Sequence, residues 1–407
     1  MFRFIHAADI HLDSPLKGLE AKEGAPVDQI RGATRVAFSR IIDLCLQEEV
    51  SFLLIAGDLY DGAWRDYSTG LFFNAELKRL QAKEIQVYLI SGNHDAESKI
   101  TSELRPPENV YTFPVTKPNS VRHSSLPVIL HGQGFETAVV TTNLATAYPE
   151  RVDSHFNIGL LHCSLGDKVG SSHATYAPCS LQDLRDKGYD YWALGHIHQT
   201  EVIATDPHIV YSGNPQGRHF NETGPRGCYL VDVDDELAVS SCQFLQTNSV
   251  LWEHITIDAS DCVVLADLTD LLEAQLPELS STTELLCLRC TLTGQTGLHG
   301  RLRTEPDALS AVLHDAFSKC ETPVWLEKVR LETRPVLDRH QLAQQSDAAR
   351  IIIERLEHAE EPRPSDKAAR LLKSLDEQTK ELLKSEPADW ENFVLTTLEQ
   401  KEANEAE

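Results

Sequence analysis

Ten residues of this 407-residue chain could ligate metals or move protons, and they stand in five short clusters. Asp9 and His11 lie in ADIH, Asp58 and Asp61 in AGDLYD, and Asn93, His94 and Asp95 in GNHD. His162 follows in LLHC, then His196 and His198 in GHIH. Mixed Asp, His and Asn ligation suits Mn²⁺, Fe or Zn²⁺, not Ca²⁺ or a thiolate site. Seven ligands at roughly three or four protein groups per ion make two metals the natural count, and such a pair stabilises both the attacking and the leaving oxygen of a phosphoryl displacement. Singly, each residue has a plainer reading: a lone His after a strand is usually a satisfied loop residue, and Asn-His and Gly-Asp are ordinary turn chemistry. Five consecutive clusters of this kind have no such structural reason.

The elements that must position them are legible around them. FRFIHAA, SFLLIAGD, IQVYLISGN, FNIGLLHC and YDYWALGH are short apolar runs that each end in one of the clusters. Between them RGATRVAFSRIIDLCLQEE and YSTGLFFNAELKRLQAKE carry apolar residues at the helical period. That alternation predicts an α/β layered domain over residues 1–255, with the carboxyl ends of its strands sharing one edge. Period-two geometry turns His196 and His198 to the same side. VIATDPHIVYSGNPQG and RGCYLVDVDDELAVSSCQFL read as hairpins. Residues 256–336 read as a small α+β module of two helices and strands. Residues 337–407 read as a helical tail interrupted by EEPRPSD, where proline breaks the helix. Residues 341–407 hold 16 acids against 9 bases. The apolar face of this tail fits either a solvated appendage or a partner's grip.

The formal charge of −25 argues against a uniformly basic nucleic-acid binder. A local positive site stays open, since bound divalent metals add charge that this count omits. The nine cysteines fall mostly in apolar stretches and read as reduced, buried small hydrophobes, the Cys287–Cys290 pair included. No run approaches 18 apolar residues and the N-terminus carries His6 and Asp9, so the expectation is a cytoplasmic protein that neither spans nor binds a membrane.

The order D-x-H, G-D-x-x-D, G-N-H-D, H, G-H-x-H resembles the calcineurin-like metallophosphoesterases, and here stands complete as DIH, GDLYD, GNHD, LLHC and GHIH. DIHLDSPLKGL, YAPCSLQDL, GNPQGRHFNETGPRGCYLV and LEKVRLETRP extend the likeness over roughly residues 1–335 to the SbcD/Mre-type DNA-repair exonucleases, in their YhaO-like branch. The resemblance implies a four-layer α/β/β/α sandwich with a small α+β capping domain and a C-terminal helical tail. It also implies roles. Asp9, His11 and His198 would hold one metal, Asn93, His162 and His196 the other, with Asp58 between them; Mn²⁺ is the expected ion. His94 would donate a proton to the leaving oxygen, and Asp61 or Asp95 would orient or charge-stabilise it. Related archaeal nucleases have His where Asp61 stands, and Asp61 also reads as a turn-capping carboxylate. For substrate, Arg218 and Arg226 are candidate phosphate contacts, and Tyr176 and His173 could line a DNA path.

The leading functional expectation is a nuclease that processes DNA ends with an SMC-like ATPase docked on the tail; a homodimer stays open. The alternative is a phosphatase or cyclic-nucleotide phosphodiesterase. Protein phosphatases of the superfamily carry G-D-x-x-D-R-G, and Gly62 stands in place of that Arg. A subunit with a silent site is the third reading, disfavoured by the complete ligand set.

Overall fold

The computed structural model describes residues 1–336 apart from 17–18, 20–21, 23, 62–66, 98–104, 167–174 and 281–282. The expectations for His173 and for the tail 337–407 lie outside the described residues.

Strands β1 (Phe2–Ala7), β2 (Phe52–Ala56) and β3 (Gln86–Ile90) are nearly continuous apolar runs. Their side chains alternate between two cores. Phe4, Phe52, Leu54 and Tyr88 enter one, while Ile5, Leu53, Ile55 and Val87 enter the other. A strand buried on both faces needs no polar alternation, which suits parallel pairing between covering layers; β1 pairs β2 and β2 pairs β3 in parallel. The remaining strands are β4 (Val110–Thr112), β5 (Asn119–Arg122), β6 (Val128–Gly132), β7 (Phe156–His162), β8 (Tyr191–Gly195), β9 (Glu201–Thr205), β10 (His208–Tyr211), β11 (Gly227–Val233) and β12 (Val239–Gln246). They complete two six-stranded sheets, β12-β11-β1-β2-β3-β4 and β5-β6-β7-β8-β10-β9. The two expected hairpins are β9–β10 and β11–β12, both antiparallel.

The sheets face one another across an aromatic core. Phe4 stacks on Phe52 with centroids 5.0 Å apart and meets Tyr191 of the opposite sheet edge-on at 5.2 Å. Helices α1 (Val27–Gln47) and α2 (Tyr67–Gln81) cover the outer face of the first sheet. In α1, Phe38, Ile41, Ile42 and Cys45 recur at three- and four-residue intervals and are fully buried; each such side chain contributes about 1.5–3 kcal/mol. On the far face of the second sheet Trp192 and Leu194 pack with Tyr148 and with Leu184 of the helix Leu181–Asp186. Ser180 starts that helix with a reciprocal capping box to Asp183. The layers are therefore α/β/β/α.

The chain divides into two compact units. Among the described residues the first comprises Met1–His254, Pro277–Arg289 and Cys320–Lys328; the second comprises Ile255–Leu276, Cys290–Lys319 and 329–336. Strands Val250–Asp258, Leu285–Thr293 and Val324–Leu331 form a three-stranded sheet. Three helices are found where the sequence suggested two: Leu265–Ser280, His299–Thr304 and Pro306–Ser318. Pro306 separates the last two, being suited to a helix start and not to an interior. Cys287 and Cys290 are free and buried in their strand. Among the described residues no helix is long and apolar enough to cross a membrane.

Candidate metal centre

The five clusters arrive from two sheets, not from one edge of a single sheet as the strand pattern alone suggested. β1, β2 and β3 deliver Asp9, Asp58 and Asn93 from the first sheet; β7 and β8 deliver His162 and His196 from the second. Parallel pairing within each sheet, including β7 with β8, sends these carboxyl ends to one side. The backbone there is forced. Asp9, His11 and Asp58 adopt φ of 51°, 47° and 50°, and His196 adopts 96°; each such conformation costs about 1–3 kcal/mol and persists only where the surroundings impose it. Two glycines allow the close approach. A Cβ on Gly57, itself at φ +95°, would lie 2.4 Å from His162 Nδ1, and one on Gly195 would lie 2.0 Å from the Ala56 carbonyl.

Every side chain in the cluster except His94 is largely or wholly buried. The Asp9 carboxylate accepts the His196 backbone N–H at 3.0 Å and lies 4.0 Å from His198 Nε2. His11 Nε2 is 3.2 Å from His198 Nε2 and 3.8 Å from Asp58 Oδ2. That same Asp58 oxygen is 3.5 Å from His162 Nε2, so one carboxylate stands between two imidazoles. Asn93 Oδ1 lies 3.0 Å from His162 Nε2. The His196 ring centre is 5.3 Å from that of His162 and 5.4 Å from Tyr176. Ligand atoms lie within 4.8 Å of one another in three sets: Asp9, His11 and His198; Asp9, Asp58 and His162; and His11, Asp58 and His94.

This donor set fits divalent cations. His162 Nδ1 hydrogen-bonds the Ala56 carbonyl at 3.0 Å and His198 Nδ1 meets Glu222 Oε1 at 2.6 Å, which leaves both Nε2 lone pairs facing inward. His11 Nδ1 is buried without a hydrogen-bond partner. Asp9 and Asp58 are buried carboxylates, and buried charge requires compensation. Burial pushes the His162 imidazole down, yet Asp58 and Asp9 overcome this and raise it to about 9. The field at this point is strongly negative.

His94 stands at the mouth, 41% exposed, with Nδ1 2.9 Å from Asp61 Oδ1. The hydrogen bond to Asp61 raises its basicity. Burial works to raise the Asp61 carboxyl, but His94, the Ser14 hydroxyl and the Arg218 guanidinium outweigh it and hold it at about 2. Asp95 takes a different place from that expected. Its carboxylate accepts the backbone N–H groups of Leu59, Tyr60 and Gly92 at 3.1, 2.9 and 2.9 Å, stitching two ligand-bearing loops together. Burial and the nearby Asp58 raise its carboxyl to about 6.

Arg218 lies 3.7 Å from Asp61 and 3.2 Å from Glu222, at the edge of the centre. Arg226 is a correction: its guanidinium is buried and spent on the carbonyls of His198 and Thr223 and on Asn214 Oδ1. It holds the loop that follows His198. Glu222 is the residue that the motifs leave unmarked. It orients His198, and only its place in HFNETG, between the two hairpins, hints at a role.

Comparison with known proteins shows the family. Residues 2–200 match the model of the calcineurin-like phosphoesterases, and residues 252–334 match the middle domain of metallophosphoesterase YhaO. The uncharacterized metallophosphoesterase YhaO of Bacillus subtilis (strain 168) is 35% identical over 295 residues, which cover 72% of this chain and 71% of YhaO. Among solved structures, TT1561 of Thermus thermophilus shares 12% identity at a TM-score of 0.33, covering 57% of this chain and 94% of its own. A dimetal phosphatase from Danio rerio shares 10% at 0.34, covering 57% and 93%.

Proposed function

The chain belongs to the calcineurin-like metallophosphoesterases, as a relative of YhaO, and from that membership we propose that it is a two-metal phosphodiesterase acting on DNA ends. Metal-dependent phosphoester hydrolysis is the activity of the family. The observation that carries the finer reading is His94. It is the exposed imidazole of an otherwise buried cluster, kept basic by a 2.9 Å contact with Asp61. A sugar alkoxide is a poor leaving group, and a proton delivered as the P–O bond breaks is what such a substrate needs.

Residues of this chain divide the work. Asp9, His11 and His198 would hold one ion and His162, Asn93 and His196 the other, with Asp58 shared between them. When bound, two divalent ions supply Lewis acidity and positive charge at phosphorus; Mn²⁺ is the ion we assign, on the mixed N/O donor set. Asp61 aims His94 and raises its basicity. Asp95 fixes the loops that carry Asp58 and Asn93. We extend the proposal to an SMC-like ATPase docking on residues 337–407, supported by the leucines at helical spacing in that segment, and to a cytoplasmic location.

Incubating the Mn²⁺-loaded chain with linear DNA and, separately, with p-nitrophenyl phosphate tests the reading. Release of nucleotides from DNA is expected. Hydrolysis of the monoester alone would favour the phosphatase alternative.

A further inference from the structure

Beside the metal centre the first unit contains a cavity of about 390 Å³ with a wall of Leu16, Phe220, Trp252 and Trp325 and a rim of Lys22, Arg218 and Arg289. Arg218 belongs to both places: it lines this cavity and its guanidinium is 3.7 Å from Asp61, the partner of His94. The cavity is therefore linked to His94 through Arg218 and Asp61.

The charge balance at the rim is uneven. Lys22 Nζ lies 2.6 Å from Glu327 Oε1, and Arg289 Nε lies 2.6 Å from Glu327 Oε2. Glu327 is the one carboxylate among the described lining residues, and a single carboxylate neutralises only one of these two cations. Arg218 has its own counter-charges in Glu222 and Asp61. Among the described residues Lys22, Arg289 and Glu327 together therefore carry one positive charge, in a chain whose formal charge is −25, while Arg218 is offset by its own two carboxylates. The lining side chains also pack on one another. Arg289 stacks over Phe220 at 4.2 Å, Phe220 packs edge-on against Trp252 at 4.8 Å, and Trp252 donates to the Gly217 carbonyl at 2.7 Å.

A surplus of fixed positive charge above an aromatic and aliphatic wall suits a ligand with a phosphate at one end and a flat apolar ring at the other. We propose that this cavity seats the nucleotide next to the scissile phosphate of a polynucleotide strand, its phosphate on Lys22 and Arg289 and its sugar and base against the Leu16–Trp252–Trp325 wall. The proposal rests on the nuclease reading for its substrate. It adds the place where the strand is gripped and explains how a strongly acidic chain could hold DNA.

The test is binding to the full-length chain with its metals supplied. The probe is a thymidine dinucleotide phosphorylated at both ends, its internal link a phosphorothioate to slow cleavage, followed by tryptophan fluorescence with inorganic phosphate as the comparison. The dinucleotide should bind at least tenfold more tightly than phosphate. Lys22→Gln and Arg289→Gln should each weaken it by about tenfold. Glu327→Gln, which removes the carboxylate at nearly constant shape, should tighten it; a merely structural role for Glu327 would weaken it or leave it unchanged. Equal affinity for phosphate and dinucleotide, or binding in Glu327→Gln no tighter than in wild type, overturns the proposal. If wild type degrades DNA but the variants bind the probe alike, the cavity assignment falls and the nuclease reading stands. If the probe binds as expected while DNA is left intact, the nuclease reading falls and the cavity remains a nucleotide site.

Discussion

Replacing Glu222 by Gln isolates the residue that the motifs did not mark. The Glu222 carboxylate is buried and receives His198 Nδ1 at 2.6 Å, Asn214 Nδ2 at 3.0 Å, the Arg218 backbone N–H at 2.8 Å and Arg218 Nη2 at 3.2 Å. All four partners are donors. A glutamine keeps the shape but turns an NH₂ towards at least one of them, and the charge that fixes the His198 tautomer is gone. Losing a hydrogen bond to a charged group costs about 1.5–3 kcal/mol, and loss of such an outer partner typically lowers metal affinity about 10–100-fold; the second figure is about 1.4–2.7 kcal/mol, so the two agree. Because His198 shares its set with Asp9 and His11, one of two Mn²⁺-binding steps should weaken and the other stay nearly unchanged. Isothermal titration of Mn²⁺ into metal-free protein reads this directly, and a thermal melt of the same samples checks the fold. Unchanged affinity for both ions, within about twofold, with an unchanged melt would refute the role given to Glu222.

His94→Gln should leave two metals bound and lower kcat on DNA by about 10²–10⁴-fold. Since His94 also lies within reach of His11 and Asp58, a lost metal in that variant would make it a ligand instead of the proton donor. His6 supplies a pH test away from the site. It is enclosed beneath Tyr191, whose hydroxyl is 3.0 Å from its Nδ1, and burial lowers its imidazole from 6.5 to about 3. Between those values the unfolded chain binds a proton that the folded chain does not, so stability falls as pH drops through this window by about 1.4 kcal/mol per unit. His6→Gln should therefore lose about 2 kcal/mol less than wild type between pH 7 and pH 5 in urea unfolding; equal losses would contradict the assignment.

The strand-end clusters were legible because both parts of the signal are local: an apolar run sets the strand, and the next few residues carry the ligands. The helices α1 and α2 were legible for the same reason, their buried stripe having a period that survives without tertiary information. What was hidden depends on contacts between distant segments. Glu222 reaches His198 across 24 residues of loop and hairpin, and nothing in its neighbourhood marks it as a partner of imidazole. Asp95 follows His94 in the chain, which suggested that they act together, yet the short 3₁₀ turn Asp95–Glu97 directs its carboxylate to backbone amides. Arg226 looked like a phosphate contact because sequence does not report burial. That two sheets share the ligands was likewise beyond local reading: a strand's carboxyl end is visible in sequence, but which sheet it joins is decided by long-range pairing.

The central claim is tested most directly by one comparison, the fate of end-labelled linear duplex DNA with Mn²⁺ in wild type and in Asp58→Asn, with bound metal counted in both. The account predicts labelled nucleotides released by wild type and abolished by chelation. In the variant, nuclease activity and metal should be lost together, since Asp58 Oδ2 stands between His11 and His162. DNA left intact by the fully metal-loaded wild type, or cleaved equally by a metal-depleted Asp58→Asn chain, would contradict it.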